Sequence, residues 1–579
     1  MHRCDRRFRF LIAFLGALML ASCRPSPEGI AVRAPTEADT VFLGEHIMTV
    51  DPDSGAPEAV MLLGDQIAAV GNRAFAQDWI GPNTRVVELG ERALLPGFID
   101  AHGHAALVMQ FLPHINVSSP PVGPAEDIED VVELIRNTIK EKQIPPGEWV
   151  IGYGYDDSLL AEQRHPNRDD LDRASAEHKI VLVHVSFHLA TLNSAALQAA
   201  GVSEKTPNPP GGVIRRRSDS DEPNGVMEEA ASMMLLRPVF EAGAAERFAP
   251  DLLAALDYHA AYGITTVQDG ASSLAFAAGV RQLAAAQPLP IDLVAYPHSA
   301  EVSSLGSLAD LNYQPTYENG FRVGGVKFVL DGSPQGRTAW LTEPYTEGPP
   351  GAPADYVAYP IVAPDHYLEF SKDLVAAEIP FLAHANGDAA MDLMIQGVEG
   401  ATQEQEVDHR SVAIHAQLTR EDQIDAMKRL GIIPSYFAAH PYFWGDWHRI
   451  SFGEERASRI SPLRSTVKRE MPFTIHNDAP VVPPDILRLI EIAVRRETRS
   501  GNVLGPEQRL DVEEAVYAVT RGGAYQYFEE DRKGSITPGK QADLVVLSRD
   551  PRDVETDQID EIEVLETIAR GQTVFPKTP

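Results

Sequence analysis

The chain has 579 residues, of which 44% are apolar and 23% charged; this is ordinary for a soluble globular protein and too long for one hydrophobic core. The formal net charge of −33 at pH 7 argues against nucleic acid and anionic membrane surfaces as partners. The two cysteines, Cys4 and Cys23, are too few for a disulfide framework.

The first 22 residues have the pattern of a secretion signal, with four arginines before a short apolar run at 10–20. Leu20-Ala21-Ser22-Cys23 resembles a bacterial lipoprotein cleavage site, at which Cys23 becomes the lipidated first residue; ordinary cleavage beside an incidental cysteine is the alternative. Residues 23–37, rich in proline and alanine, are expected to form a tether. We therefore expect an exported periplasmic lipoprotein that contacts the membrane only through its lipid anchor, and Arg24 favours the outer membrane.

Short apolar runs separated by turn residues occupy both ends of the chain. The predicted strands lie at 40–43, 46–50, 60–63, 67–70, 534–536, 542–547 and 564–574. Because chain termini often lie close together, residues 38–93 and 535–576 are expected to form one small β-sandwich domain.

Between these ends, predicted strands alternate with helix-like stretches such as 248–261, 366–377 and 420–430. The candidate strands are 98–101, 264–268, 291–295, 325–330, 380–383, 411–414, 432–436 and 472–475. Eight such strands predict an α/β fold in which residues 94–534 form a (β/α)8 TIM barrel, with the active site at the carboxyl ends of the strands. The long gap after the first strand predicts a cap insertion over residues 105–262.

Side chains that can bind a metal fall at the ends of five predicted strands. They are His102 and His104 after the first strand, Lys327 at the fourth, His384 after the fifth, His415 after the sixth and Asp478 after the eighth. Residues two apart on an extended backbone point to the same side, and a barrel brings all these strand ends to one rim. Imidazole suits zinc and similar divalent ions, so the set predicts one or two divalent ions rather than unrelated core histidines.

The motifs that carry these residues have counterparts in a known family. They include Leu95-Pro96-Gly97-Phe98-Ile99-Asp100-Ala101-His102-Gly103-His104, Asn193-Ser194-Ala195-Ala196-Leu197, His384-Ala385-Asn386-Gly387-Asp388, Asp478-Ala479-Pro480-Val481 and Gly539-Lys540-Gln541-Ala542-Asp543-Leu544. From about residue 38 to 576 the chain resembles the amidohydrolase superfamily, specifically its amidohydrolase-3 (YtcJ-like) family. The resemblance implies a metal-dependent hydrolase with a barrel, a split β-sandwich and an inserted cap. This chain departs from many relatives at the eighth strand, where His476-Asn477-Asp478 stands in place of Gly-Ser-Asp, and His476 is a candidate supporting residue behind the ligands.

Charge and geometry make Asp478 the candidate catalytic residue. A carboxylate beside a metal-activated water can take a proton from it and pass the proton to the leaving nitrogen. Lys327 cannot bind a metal as an ammonium, but near a cation its pKa should fall, and the free amine could add carbon dioxide. The resemblance supports such a carbamate bridging two metals; a Lys327–carboxylate pair and a mononuclear site are the alternative.

Substrate contacts are expected from the cap and the barrel together. The expected reaction follows from the candidate metal ligands. The candidates for substrate contact are Tyr153, His188, Arg337, Trp340, His440 and Trp444, with core packing as the alternative for the tryptophans. The expected reaction is hydrolysis of an amide, cyclic amide or N-acyl bond in a small molecule, with zinc as the expected metal. Deamination of a small heterocycle and a non-catalytic tethered binding protein are the alternatives, and the sequence is compatible with an oligomer.

Overall fold

A computed structural model of the protein describes residues 29–32, 36–157, 159–187, 189–209, 212–232, 234, 244–349, 352–403 and 407–577. The predicted signal peptide, Cys23, most of the predicted tether and His188 lie outside the described residues. Within the described ranges, no helix combines the length and the apolar character that a membrane crossing requires.

The strands of the described residues share short lengths and largely buried side chains. In chain order they are β1 (Gly29–Ala31), β2 (Thr40–Leu43), β3 (Ala59–Leu63), β4 (Gln66–Gly71), β5 (Arg85–Glu88), β6 (Ala93–Pro96), β7 (Phe98–Ile99), β8 (Ile115–Asn116), β9 (Trp149–Tyr155), β10 (Lys179–His184), β11 (Leu189–Leu192), β12 (Gly212–Arg216), β13 (Pro223–Glu229), β14 (Ile264–Ser272), β15 (Asp292–Pro297), β16 (Phe321–Val323), β17 (Val326–Val329), β18 (Phe381–Ala385), β19 (Val412–His415), β20 (Ile433–Tyr436), β21 (Thr474–Ile475), β22 (Leu544–Leu547), β23 (Val564–Ala569) and β24 (Gln572–Phe575).

Helices connect most of these strands, and many begin at a side-chain cap. Asp127 and Asn193, for example, accept hydrogen bonds from backbone N–H groups of the first turn. The helices are Arg73–Ala76, Ala105–Phe111, Ile128–Glu141, Arg168–Ala174, Ser194–Ala199, Ala244–Ala261, Leu274–Ala286, Ser299–Val302, Pro364–Ala376, Asp388–Thr402, Glu421–Leu430, His440–Ser458, Leu463–Val467, Ile486–Arg495, Val512–Ala518 and Arg521–Gln526, with 3-10 turns at Gln77–Trp79, Leu308–Leu311, Pro506–Gln508 and Thr556–Glu561.

Parallel strands at the centre of the chain form two sheets, ordered β16-β15-β14-β7 and β17-β18-β19-β20-β21. Each of the eight strands predicted for this region is present, and their neighbours follow chain order. Strands such as β19 and β20 are buried along their whole length, as parallel strands covered on both faces should be. This α/β core brings the carboxyl ends of successive strands to one side.

The fourth predicted strand, 325–330, is present as β17, and a short strand that was not predicted, β16, precedes it. β16 pairs with β15, whereas β17 pairs with β18, and Gly324-Gly325 separates the two strands. Gly325 has φ of 152°, and a Cβ there would lie 2.0 Å from the carbonyl oxygen of Pro380. Only glycine therefore fits, and the break turns the chain between the two parallel sheets.

Both ends of the chain meet in one hydrophobic cluster, to which Phe42, Val60, Leu544 and Ile568 contribute. The N-terminal sheet is ordered β1-β4-β3-β2-β5 and the other β24-β23-β22-β6. The predicted strands at 46–50 and 534–536 are wrong. The first shortens to one bridge at Ile47, because Val50 adopts a left-handed φ of 53° that ends the extended run; residues 534–536 form no ladder.

A buried ion cluster joins the C-terminal segment to the parallel strands. The ammonium of Lys533 lies 2.5 Å from Oδ2 of Asp292 and 3.2 Å from Oε2 of Glu529, and it donates to Oγ1 of Thr266 at 3.0 Å. Burial alone would lower the pKa of Lys533, but Asp292 and Glu529 outweigh it and raise the pKa. The lysine therefore remains charged although only 1% of its side chain is exposed.

The predicted insertion contains a separate six-stranded sheet, ordered β12-β13-β11-β10-β9-β8. It has its own hydrophobic clusters, around Val181 on one side and Ile180 on the other. The helix Ala244–Ala261, which follows this sheet, instead buries Leu252 and Leu256 among the parallel strands. The inserted sheet therefore ends before this helix.

Candidate metal centre

His102 lies at the centre of a buried polar cluster at the carboxyl end of β7. Its Nε2 is 3.0 Å from Nζ of Lys327 and 3.4 Å from Oδ1 of Asp478. Its Nδ1 lies 2.6 Å from Oε1 of Gln268, and an amide oxygen can only accept, so Nδ1 carries the proton. Nε2 is therefore left with a free lone pair that faces Lys327 and Asp478. His104 reaches the same carboxylate, with its Nε2 3.1 Å from Oδ1 of Asp478.

Three further imidazoles continue the cluster from the ends of the later strands. Nε2 of His415 is 3.1 Å from Nδ1 of His384, and Nδ1 of His415 is 3.2 Å from Nε2 of His476. Nδ1 of His476 in turn lies 2.8 Å from Oγ of Ser435. The ring centroids of His102 and His415 are 5.4 Å apart. All six predicted metal-binding residues, together with His476, thus lie within one continuous set of contacts.

Burial sets the charge of these groups. It holds the pKa of His102 and of His415 well below the usual value of 6.5 and lowers that of His384 to about 4, so these imidazoles are neutral at pH 7. Burial also lowers the pKa of Lys327 to about 7, which leaves a large fraction as free amine. These three imidazoles and the free amine therefore offer uncharged nitrogen atoms. His104 differs, because Asp478 outweighs burial and raises its pKa.

Asp478 supplies the negative charge. Burial alone would raise its pKa, but the contact with His104, whose own pKa this carboxylate raises, outweighs burial and lowers it. The carboxylate is therefore ionised at neutral pH, yet its buried Oδ1 accepts no hydrogen bond of acceptable geometry. Ligand atoms of His102, His415 and Asp478 all lie within 4.8 Å of one another. An ionised carboxylate oxygen beside several imidazole nitrogens fits a divalent metal ion.

The backbone at two of these residues is strained. His415 has φ of 74° and Asp478 has φ of 58°, in the left-handed region that non-glycine residues rarely adopt. Each such residue costs on the order of 1–3 kcal/mol, and such strain concentrates at functional sites. The strand ends are thus turned so that both side chains meet the cluster.

Two supporting residues were not predicted from the sequence. Gln268 orients His102 and also donates to the backbone oxygen of Ala101 and to the Tyr527 hydroxyl. Its position at the carboxyl end of the second predicted strand, the same edge that carries the candidate ligands, is the signal that could have found it.

Asp331 is the other missed residue. Its carboxylate accepts from the backbone N–H groups of Asn386, Gly387 and Trp340 at 2.8–3.0 Å. It thereby fixes the segment that follows His384.

The predicted substrate contacts fall into different environments. His440 and Trp444 pack around Phe437, whose ring stacks on His476 at 5.5 Å, so both reach the cluster only through that ring. Trp340 is half-buried, and its backbone N–H is held by Asp331.

Arg337 is bound elsewhere. Its guanidinium donates to Ser451 Oγ and Gly348 O, pairs with Glu347 and stacks on Trp447 at 4.2 Å. All of these interactions of Arg337 lie away from the imidazole cluster, so the structure does not place Arg337 where it was predicted.

A cavity of about 300 Å³ lies next to Asp478. Asn477 and Pro480, on either side of Asp478 in sequence, form one wall. Tyr153 from β9 of the inserted sheet and Tyr258 from the helix before β14 form others. Of the predicted substrate contacts, Tyr153 is thus the one that lines this cavity.

Comparison with known proteins agrees with this arrangement. The sequence model of the amidohydrolase family matches residues 85–575. The chain is 26% identical over 552 residues to an N-substituted formamide deformylase of Arthrobacter pascens, covering 93% of this chain and 99% of that protein. It is also 26% identical over 567 residues to YtcJ of Bacillus subtilis (strain 168), with coverage of 93% and 99%.

A solved structure shows the same fold. An uncharacterized metal-dependent hydrolase of Pyrococcus furiosus superposes with a TM-score of 0.69 at 22% identity, over 89% of this chain and 100% of that chain. The family match covers most of the chain and includes every candidate ligand. The chain therefore belongs to the amidohydrolase family.

Proposed function

We propose that the protein is a metal-dependent hydrolase that cleaves an amide, cyclic amide or N-acyl C–N bond in a small molecule. The observation that carries this proposal is the ionised carboxylate of Asp478, whose buried Oδ1 lacks a hydrogen-bond donor and faces the Nε2 atoms of His102 and His104 at 3.4 and 3.1 Å. The formamide deformylase activity named for the Arthrobacter relative supports the choice of a C–N bond.

The metal ligands are proposed to be His102, His104, His384, His415 and Asp478, holding one or two divalent ions, with zinc foremost. When bound, such an ion polarises a carbonyl and lowers the pKa of water. Gln268 and Ser435 hold the far nitrogens of His102 and His476, which orients the rings towards the site.

We propose that the chemical state of Lys327 determines whether the site holds one metal ion or two. As an amine with a pKa near 7, its Nζ can add carbon dioxide and lose a proton to give a carbamate anion. That anion would supply two oxygens beside His102, whose Nε2 lies 3.0 Å from Nζ. The alternative is that Lys327 remains an uncharged amine, in which case the site holds a single metal ion.

Asp478 is proposed to be the catalytic residue because it is the ionised group next to the imidazoles. It accepts a proton from the attacking water and donates it to the leaving nitrogen, so the carboxylate is regenerated when the amine departs. The C–O bond forms first, and the C–N bond breaks once the nitrogen has received the proton. The products are a carboxylic acid and an amine, which stay joined in one molecule when the substrate is a cyclic amide.

We further infer that the two parallel sheets belong to one (β/α)8 barrel covered by the inserted sheet as a cap. In support, the N–H of His104 after β7 donates to the carbonyl of Ala479 after β21 at 2.8 Å, which links the first and eighth strands. Lys327 and His102 make a second contact across the ring of strands. The chain ends complete a small β-sandwich, as their common hydrophobic cluster suggests.

Metal analysis and a substrate panel test the proposal. Purified protein should contain about one or two equivalents of zinc or a similar ion, and chelation should abolish amine release from N-acyl amines and cyclic amides. Full turnover by metal-free protein would refute the proposal. Ammonia release from aminopurines alone would assign a deaminase, and absence of both metal and turnover would assign a binding protein.

Two histidines near opposite ends of β19 provide a matched pair for this experiment. His415 ends β19 within the cluster, whereas His409 lies before the other end of the same strand and bonds Ser411 and the carbonyl of Leu430. His415→Asn should lose metal and activity, while His409→Asn should keep both. Equal losses in the two variants would indicate a general structural effect and contradict the assignment.

A further inference from the structure

Asn477 carries a buried hydrogen-bond donor that the protein itself does not use. The residue is 4% exposed, and its Nδ2 has no hydrogen-bond acceptor among the described residues. It directly precedes Asp478 and lines the 300 Å³ cavity. Natural proteins leave few buried polar groups unpaired, because each costs about 1–3 kcal/mol. A donor in this position points to a ligand acceptor within the cavity.

Aromatic side chains form one part of the cavity wall, beside polar residues such as Asn116 and Ser118. Tyr153 packs on Phe111 with ring centroids 5.6 Å apart, and Tyr258 packs edge-on against Tyr262 at 5.3 Å. Val482 adds an aliphatic surface beside them. An apolar cavity of about 150 Å³ already holds benzene, so this cavity has room for a ring and the linkage that bears it.

The charged residues that line the cavity are already paired. Asp485 accepts from the backbone N–H of Arg488 at 3.1 Å as the cap of a helix. The Arg488 guanidinium lies 2.8 Å from Asp560 and 3.7 Å from Asp485. Neither charge is left to bind an ionised ligand, so the cavity selects a neutral group.

We propose that this cavity is the subsite for a neutral, ring-sized substituent next to the scissile amide, and that Asn477 Nδ2 donates a hydrogen bond to the oxygen of that amide. This inference rests on the proposed hydrolase function and specifies its substrate class. The ring packs between Tyr153 of the inserted sheet and Tyr258 of the barrel side. Asn477 is thus a positioning residue that places the carbonyl next to Asp478.

Two pairs of simple amides test the ring. N-methylbenzamide is compared with N-methylacetamide for a ring on the acyl side, and N-benzylformamide with N-methylformamide for a ring on the amine side. Wild-type protein should favour the ring-bearing member of at least one pair in kcat/KM, and the favoured pair identifies the side. Val482→Phe, which fills the cavity, should lower kcat/KM for the ring-bearing member and spare the methyl member.

Asn477→Leu tests the donor. The loss of one such hydrogen bond corresponds to about a 5- to 140-fold fall in kcat/KM for the ring-bearing amide. Because the variant also removes an unpaired buried donor, its Tm should equal or exceed that of the wild type. A merely structural asparagine would lower Tm instead.

Asn116 is the matched control, since it lines the same cavity but its amide is satisfied by Val122 O and the backbone N–H of Ser118. Asn116→Leu should lower Tm. If Asn477→Leu behaved in the same way, or if Val482→Phe affected both members of a pair equally, the subsite would be refuted. Wild-type turnover of the methyl amides without ring preference would refute the subsite alone, whereas metal-loaded protein inactive on every amide would refute the proposed function as well.

Discussion

Gln268 should control how tightly the protein holds its metal, although it does not touch the metal itself. Its Oε1 accepts the proton of His102 Nδ1 at 2.6 Å, and this bond keeps the Nε2 lone pair directed at Asp478 and Lys327. Gln268→Leu removes the acceptor at nearly constant volume. His102 must then either bury an unpaired N–H or move its proton to Nε2, the nitrogen that the metal needs.

Either outcome costs about 1–3 kcal/mol, which corresponds to about a 5- to 140-fold weaker metal Kd. In other metalloproteins, loss of the hydrogen-bond partner of a metal-binding histidine typically weakens metal affinity by about 10- to 100-fold. The measurement is competition between the protein and a zinc-binding fluorescent chelator at fixed pH. Far-ultraviolet circular dichroism on the same samples confirms that the variant is folded.

Gln526 provides the control. It is also buried and also donates to the carbonyl of Ala101, at 2.7 Å, but it accepts from Thr474 rather than from an imidazole. Gln526→Leu should therefore leave metal affinity within about twofold, since the ligand nitrogens are untouched. Equal weakening in both variants, or none in Gln268→Leu, would show that the tautomer of His102 does not set metal affinity.

Two other predictions follow from the same structure, and a third follows from the sequence. Asp478→Asn should lower kcat by about 10²–10⁴-fold while the protein stays folded. A near-normal kcat with metal retained would show that another residue is the general base. Lys533→Met should lower the free energy of unfolding in urea by about 1–3 kcal/mol, because Asp292 and Glu529 lose one of their cations and keep only Arg570 and Arg322; an unchanged midpoint would contradict this. Cys23→Ser should block processing or release the protein from membranes, and wild-type protein found in the cytosol with residues 1–22 intact would refute the lipoprotein assignment.

The ligand positions could be predicted because each depends on local sequence. A few residues are enough to show an apolar parallel strand followed by a histidine or aspartate. In a predicted (β/α)8 barrel the carboxyl ends of all strands lie on one side, so these residues are expected to lie close together. His102, His384 and Asp478 needed no knowledge of which strands pair. The structure places His102 3.4 Å from Asp478 and connects His384 to them through His415.

What could not be predicted depends on contacts between distant segments. Gln268 is 166 residues from His102 in sequence, and nothing in its neighbourhood indicates which ring it bonds. The break at Gly324-Gly325 is set by the approach of the Pro380 carbonyl, which belongs to the next strand. Arg337 was predicted to contact substrate, yet its partners are Glu347, Gly348 and Ser451.

The meeting of the two chain ends has a consequence for biosynthesis. Arg85 and Glu566, which form an ion pair across the end sheets, are 481 residues apart, and Ile67 bonds the backbone of Lys540 and Gly539. The N-terminal sheet is therefore translated long before the strands that cover its apolar face. Such long-range pairing slows folding and leaves strand surface exposed in the meantime. Refolding chains truncated before residue 540 should accordingly keep a chaperone bound at the N-terminal sheet, whereas chains that include β22–β24 should release it.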